Sequence, residues 1–184
     1  MHAEVGMKLN MAKCHIIQDS VVYLGHRVSA EGVQMLDEYV KKITEWKKPE
    51  TGKQMRTWLG FIGYYRSFFP SFARLTAKMN EGRNKNTVQW NEQMEKDFEE
   101  IKVQFQKRPI RAYPDYYNGQ PFRITTDFSA KNVAAILSQY QEGQERFIGA
   151  AGCQCLKYEA SYPSYKGELL ALIHGLKTWE HILR

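Results

Sequence analysis

Apolar positions recur along this chain with two different periods, and the period changes near residue 116. Before that point most runs repeat every three or four residues. Leu36, Val40 and Ile43 stand at i, i+4 and i+7 with Trp46 extending the stripe, which predicts a helix that Pro49 stops. Thr51-Gly52-Lys53-Gln54 has the form of a capping box. It predicts a second helix, with Met55, Leu59 and Ile62 on one stripe and Trp58, Phe61 and Tyr65 on its flank, ended by Pro70. At the end of that helix Tyr64, Tyr65 and Arg66 are expected to be exposed. Asn80 to Asn86 read as a polar connection. Asn91 then caps a third helix, whose Met94, Phe98, Ile101 and Phe105 fall at i, i+4, i+7 and i+11.

The other period is two. Near the start, Cys14-His15-Ile16-Ile17 and the run Val21 to Val28 read as a strand hairpin about the turn Gln18-Asp19-Ser20, with Ser29-Ala30-Glu31-Gly32 closing the second run. Pro109, Tyr113-Pro114-Asp115 and a linker at Tyr116 to Gly119 end the helical pattern. Beyond them Phe122 to Thr126 alternates, Asn132 to Tyr140 is rich in small apolar residues, and Phe147 to Leu156 forms a third run. Gln141-Glu142-Gly143-Gln144 is the turn between the last two. These runs predict an antiparallel meander. A terminal helix from Pro163 to Ile182 packs on it through Leu169, Leu172, Ile173, Leu176 and Trp179. The expected class is α+β: a β-hairpin and a helical segment, then a three-stranded meander with a packed helix.

Charge changes the picture in one place. The 184 residues carry a net +6, but residues 36–80 hold nine Lys/Arg against four Asp/Glu, while the segments on either side are nearly balanced. A localised excess of this kind suits a polyanion-facing module, and equally a solvated helix face rich in lysine. The cysteines Cys14, Cys153 and Cys155 make no disulfide framework in a chain this long. Cys153 and Cys155 would share a face of a strand, yet no second pair accompanies them, so buried thiols in a reducing compartment are the better reading. No apolar run approaches the roughly 18–20 residues that span a bilayer, and no signal peptide is visible. The chain is expected to be intracellular, with no membrane partner.

Two acids stand out by position. Asp127 ends a strand pattern, and Glu168 lies about 40° around the terminal helix from Leu172, at the border of the expected apolar stripe. A strand and a packed helix that each present a carboxylate suit hydrolysis of a phosphodiester by magnesium, which needs hard oxygens beside the scissile phosphate. A partly exposed glutamate complementing the helix dipole is the plainer reading of Glu168.

Read end to end, the chain resembles part of the pol polyprotein of gypsy-like LTR retrotransposons, relatives of retroviruses. Met7-Lys8-Leu9-Asn10 with Lys13-Cys14, and Tyr23-Leu24-Gly25-His26-Arg27-Val28-Ser29 with Gly32, resemble the end of a reverse-transcriptase palm. Lys53-Gln54-Met55-Arg56-Thr57-Trp58-Leu59-Gly60 with Gly63-Tyr64-Tyr65-Arg66 resembles the thumb signature. Trp90, Phe98 and Pro114-Asp115 resemble the connection. Thr126-Asp127-Phe128-Ser129 and Tyr165-Lys166-Gly167-Glu168-Leu169-Leu170-Ala171 resemble the opening of the attached ribonuclease H domain.

The resemblance implies a division into a palm end with its primer-grip hairpin (1–35), thumb and connection helices (36–115), and the first part of a ribonuclease H-like domain (116–184). It implies that Tyr23, Leu24, Gly25 and His26 hold a primer end. Lys53, Arg56 and Arg66 would contact duplex phosphates, with Tyr64 and Tyr65 at sugars or bases. Asp127 and Glu168 would be catalytic and would ligate two Mg2+ ions. Phe128, where relatives more often have a small residue, would crowd that site. The implied partners are a primer–template duplex, an RNA–DNA hybrid and the rest of the pol polyprotein. The family's polymerase aspartate pair and its third ribonuclease H acid fall outside these residues, so a catalytically incomplete fragment of an RNA-directed DNA polymerase and ribonuclease H is expected. The alternative is a nucleic-acid-binding module without catalysis.

Overall fold

The computed structural model describes Asn10, Cys14 and residues 16–184. The Met7, Lys8, Leu9 and Lys13 part of the palm-like motif, and His15, lie outside the described residues. Three short strands open the fold, β1 (Ser20–Tyr23), β2 (His26–Ser29) and β3 (Gly32–Met35), in an antiparallel sheet of order β1-β2-β3. The expected pairing of Cys14–Ile17 with Val21–Val28 is not formed, since Cys14, Ile16 and Ile17 are in no strand. Instead the Val21–Val28 run folds back on itself at Leu24-Gly25. Both residues have positive φ, 45° and 75°, as a two-residue hairpin turn requires, and Gly25 meets that demand without strain.

Helices follow: α1 (Asp37–Thr44), α2 (Gly52–Gly63), a 3-10 turn (Arg66–Phe68), α3 (Phe72–Gly82) and α4 (Glu92–Gln106). The capping box forms, with the Thr51 hydroxyl accepting from the Gln54 amide at 3.3 Å and the Gln54 side chain accepting from the Thr51 amide at 3.2 Å. Asn91 caps α4 by accepting from the Met94 amide at 2.9 Å. The stripes of α1 and α4 are buried as their spacing predicts. On α2 the buried line runs through Met55, Trp58 and Ile62, leaving Leu59 and Phe61 half-buried. Helix α3 was hidden in the sequence by Pro70 and the polar run after Met79. It adds Leu75 and Met79 to the core, in which Trp58 sits 4.9 Å from Phe98 between ring centroids.

The second sheet is the expected meander, β4 (Phe122–Phe128), β5 (Asn132–Gln141) and β6 (Gln144–Gln154), in the order β4-β5-β6. Helix α5 (Ser164–Thr178) packs over β4 and β5, and α6 (Glu180–Leu183) follows Trp179. The face that α5 buries is not the aliphatic stripe. Gly167, Ala171 and Gly175, four apart, lie against the sheet, while Leu169, Leu172, Ile173 and Leu176 are 38–55% exposed. Small residues let the helix sit close to the strands: a Cβ on Gly175 would lie 3.1 Å from Ala135 and 3.2 Å from Ile124. Of the stripe expected from the sequence only Trp179 is buried.

The two regions are joined at Arg111. Its backbone bridges to Val33 (2.9 and 3.0 Å), its Nε donates to the Ile148 carbonyl at 2.9 Å, and its Nη1 donates to Ser67 Oγ at 3.0 Å. Gln139, fully buried, holds the loop before β4 by donating to the carbonyls of Asp115 and Gln120 and accepting from the Asp115 amide. The thiols are free, but Cys153 is exposed rather than buried, because β6 runs out past the helix at that end. No helix among the described residues is long and apolar enough to cross a membrane.

Candidate nucleic-acid interface and acidic site

The Leu24-Gly25 turn is clamped from below. The Tyr64 hydroxyl donates to the Leu24 carbonyl, and the Tyr65 hydroxyl donates to the Gly25 carbonyl at 2.9 Å. Nδ1 of His26 donates to the Leu24 carbonyl at 2.9 Å, which fixes the tautomer because a carbonyl can only accept. The His26 ring stacks on Phe68 with centroids 5.7 Å apart and planes 12° apart. Burial lowers the His26 pKa, outweighing the carbonyl bond that raises it, and the positive Arg111 adds to the lowering. The imidazole is therefore neutral at pH 7. Burial pushes the Tyr65 phenol well above its ordinary range, so it remains a donor.

The structure thus brings Tyr23, Leu24, Gly25, His26, Tyr64 and Tyr65 together, although in unequal roles. Tyr23 and Leu24 project 64% and 69% exposed, and Tyr64 is half exposed. Tyr65 is a buried anchor, against the expectation that it is exposed, because the aromatic core closes over its ring. Tyr39, which sequence reasoning did not single out, lines a cavity of about 360 Å3 beside the turn with Leu24 and Gly25. Its only signal was its place within the basic segment.

Helix α2 presents an outward line at i, i+3, i+7 and i+11: Lys53, Arg56, Gly60 and Tyr64, all exposed. Arg56 donates to the Arg83 carbonyl, which holds its guanidinium over the end of α3. Nothing lies within 4 Å of where a Cβ would stand on Gly60, so the line is basic at one end, bare backbone in its middle and aromatic at Tyr64. Arg66 does not join it; it lines a cleft against β6 and α5.

Asp127 and Glu168 are both exposed. Along β4, Phe122, Ile124, Thr126 and Phe128 are half-buried and Arg123, Thr125 and Asp127 are exposed, the alternation of a strand covered on one face. Phe128 faces α5, where a Cβ on Gly167 would fall 2.1 Å from its ring. The ring does not crowd Asp127, because it occupies the opposite face and Gly167 makes room for it. Asp127 accordingly turns away from α5, into a cavity of about 290 Å3 lined by Ser71, Arg74, Ser129 and Asn132 among others. Glu168 is the fifth residue of α5, next to Gly167 on an exposed flank rather than at the border of a buried aliphatic stripe. The two carboxylates therefore start from opposite sides of β4, an edge strand of the described sheet.

Asn132 also lines the Asp127 cavity, and its Oδ1 is a buried acceptor with no hydrogen-bond partner. Hard oxygens of this kind suit one Mg2+ that keeps most of its water. No group of three or more His, Cys, Asp or Glu able to hold a metal occurs among the described residues, so a two-ion site is not assembled there. Asn132 escaped notice in the sequence because it opens a run of small apolar residues.

The family described as "RNase H-like domain found in reverse transcriptase" matches residues 90–184. The chain is 29% identical over 177 residues to the transposon Tf2-3 polyprotein of Schizosaccharomyces pombe, and the Tf2-4 polyprotein of the same organism matches equally; the alignment takes in 95% of this chain and 13% of theirs. It therefore spans a small part of the length of these relatives. Among solved structures it is similar to the foamy viral protease-reverse transcriptase in complex with RNA/DNA hybrid, at 20% identity and a TM-score of 0.74 over 94% of this chain and 24% of that one. A second structure of that enzyme, in complex with ds DNA, gives a TM-score of 0.73 at 20% identity over 89% of this chain and 29% of that one. These structural likenesses establish the mixed α/β fold.

Proposed function

Since this chain belongs to the family of RNase H-like domains found in reverse transcriptase, we propose that it is the duplex-handling middle of a gypsy-like pol polyprotein. In this reading residues 1–35 end the palm, 36–115 are thumb and connection, and 116–184 begin the ribonuclease H-like domain. The whole protein copies RNA into DNA and degrades RNA in RNA–DNA hybrids. The observation that carries the proposal is the tyrosine clamp. A tight turn with two exposed side chains, Tyr23 and Leu24, is fixed by hydrogen bonds to the end of the helix whose outward line carries Lys53 and Arg56. A grip for a strand end and a basic track for the duplex backbone are thereby held as one body, which phosphate contacts need if they are to set register.

Asp127 and Glu168 are proposed as acids of the ribonuclease H site, with Asn132 Oδ1 as a neighbouring oxygen donor. Mg2+ would polarise the phosphodiester and lower the pKa of an attacking water. Asp127 and Glu168 would act across the edge of β4, one from each side. Binding without hydrolysis is the second reading, favoured by the exposed line of Lys53 and Arg56 on α2.

Hybrid cleavage tests the acidic site. A longer polyprotein containing this chain should cleave the RNA strand of a hybrid in Mg2+. Asp127→Asn should lower kcat by at least about a hundredfold, the scale of losing a group that acts on transition-state charge. Equal cleavage by Asp127→Asn would place the chemistry elsewhere.

A further inference from the structure

A cleft of about 380 Å3 opens where the 3-10 turn and the start of α3 meet β6 and the end of α5. Its walls carry Arg66, Arg111, His174 and His181 with the hydroxyl-bearing Ser67 and Thr178, and no Asp or Glu lines it. None of the ion pairs among the described residues involves either of these two arginines or either of the two histidines. Arg111 is held by neutral acceptors only, the Ile148 carbonyl at 2.9 Å and Ser67 Oγ at 3.0 Å, and lies 5.4 Å from the centre of the Phe68 ring. A guanidinium remains charged in a protein even where burial lowers its pKa, as it does here. The cleft therefore gathers positive charge that no carboxylate balances, and partial enclosure strengthens its field. The cavity beside Asp127 and the one beside Asp115 both contain carboxylates.

Charge-assisted N–H donors with the Ser67 hydroxyl, in a space of this size, match a tetrahedral oxyanion, while the Thr178 hydroxyl is taken by the His174 carbonyl at 2.8 Å. We propose that this cleft is a phosphate-binding site, taking either a phosphodiester of a bound nucleic-acid strand or a free phosphate or pyrophosphate group. It removes Arg66 from the α2 track and gives it a different partner. His174 and His181 each offer a ring N–H, and His174 adds a positive charge when protonated. Burial lowers the His174 pKa, and the charged or titratable groups facing it across the cleft are Arg66, Arg111, Cys153 and His181. Protonation of His174 as pH falls should therefore strengthen the hold of the cleft on an anion of given charge. The site stands on the cleft's own residues and does not depend on ribonuclease H activity.

The test is calorimetric titration of the full chain with inorganic phosphate and pyrophosphate. Wild type should bind pyrophosphate, and its advantage over a variant without the two histidines should be larger at about pH 6 than at about pH 8. His174→Gln with His181→Gln should weaken it about tenfold at about pH 6 and leave only the pH dependence that comes from the ligand's own titration. Ser67→Ala, which removes a hydroxyl and no charge, should weaken it less. If the double histidine variant also loses hybrid affinity, the natural phosphate belongs to a strand. If hybrid affinity holds while pyrophosphate binding falls, the site takes free phosphate. Absence of binding to wild type, or equal binding by wild type and the histidine variant at both pH values, would overturn the proposal.

Discussion

The helical region closes its core with large rings, Trp58, Tyr65, Phe68, Phe98 and Phe105, all nearly inaccessible to solvent. The sheet region closes with Ala135, Leu137, Ile148 and Trp179, and its helix lies on it through Gly167, Ala171 and Gly175. Apolar area removed from water scales with side-chain size, at roughly 25 cal/mol per Å2, so the first arrangement stabilises far more per residue than the second. What the glycine–alanine face gains is proximity, and with it a fixed position for the start of α5 beside Phe128. One region is built for cohesion around a clamped turn, the other for close seating of a helix on a sheet. Arg111 connects them through hydrogen bonds to both.

The largest effect should come from the helical core. Phe98→Ala removes a ring packed on Trp58 and Trp90 and should cost about 3–5 kcal/mol in urea unfolding. A cost below that range would mean that the aromatic cluster is less cohesive than its burial implies. On the sheet side the sensitive position is a glycine: Gly167→Ala forces a methyl into the Phe128 ring and should cost about 1–3 kcal/mol. A Phe128→Ala background should remove most of that cost. Additive losses in the double variant would show that ring and glycine do not meet.

Smaller still is Tyr65→Phe, which leaves the Gly25 carbonyl without its donor and should cost about 1 kcal/mol while loosening the turn, seen as faster amide exchange at Gly25 and His26. Smallest of all should be Leu169→Gln and Ile173→Gln, exposed on α5, at within about 0.5 kcal/mol each. A large loss there would mean that the aliphatic stripe, not the small-residue face, holds the helix.

Legibility in the sequence followed the same division. The stripes of α1 and α4 and both side-chain caps were readable because large apolar residues at helical spacing can satisfy only one face. The meander was readable from alternation and a Glu-Gly turn. The buried side of α5 was not, since Gly167, Ala171 and Gly175 carry almost no hydropathy signal beside a run of leucines, and only the ring of Phe128 explains the first of them. Helix α3 was lost behind Pro70, and the hairpin was misplaced because Leu24-Gly25 resembles the interior of a strand more than a turn. At the acidic site the residue types were legible, but which face of β4 each acid takes depended on the helix register, which the leucines misdirected. The orphaned Asn132 and the convergence of Arg66, Arg111 and two histidines depend on contacts distant in sequence, for which no local pattern exists.

The central claim is that α2 and the clamped turn hold a nucleic-acid duplex by its backbone, and the salt dependence of RNA–DNA hybrid affinity tests it most directly. Each neutralised phosphate contributes a slope of about −0.9 in log affinity against log salt, so Lys53→Ala with Arg56→Ala should flatten the slope by about 2 and weaken binding alike for unrelated sequences. Binding that is insensitive to salt, or unchanged in slope and affinity when both side chains are removed, would contradict the account.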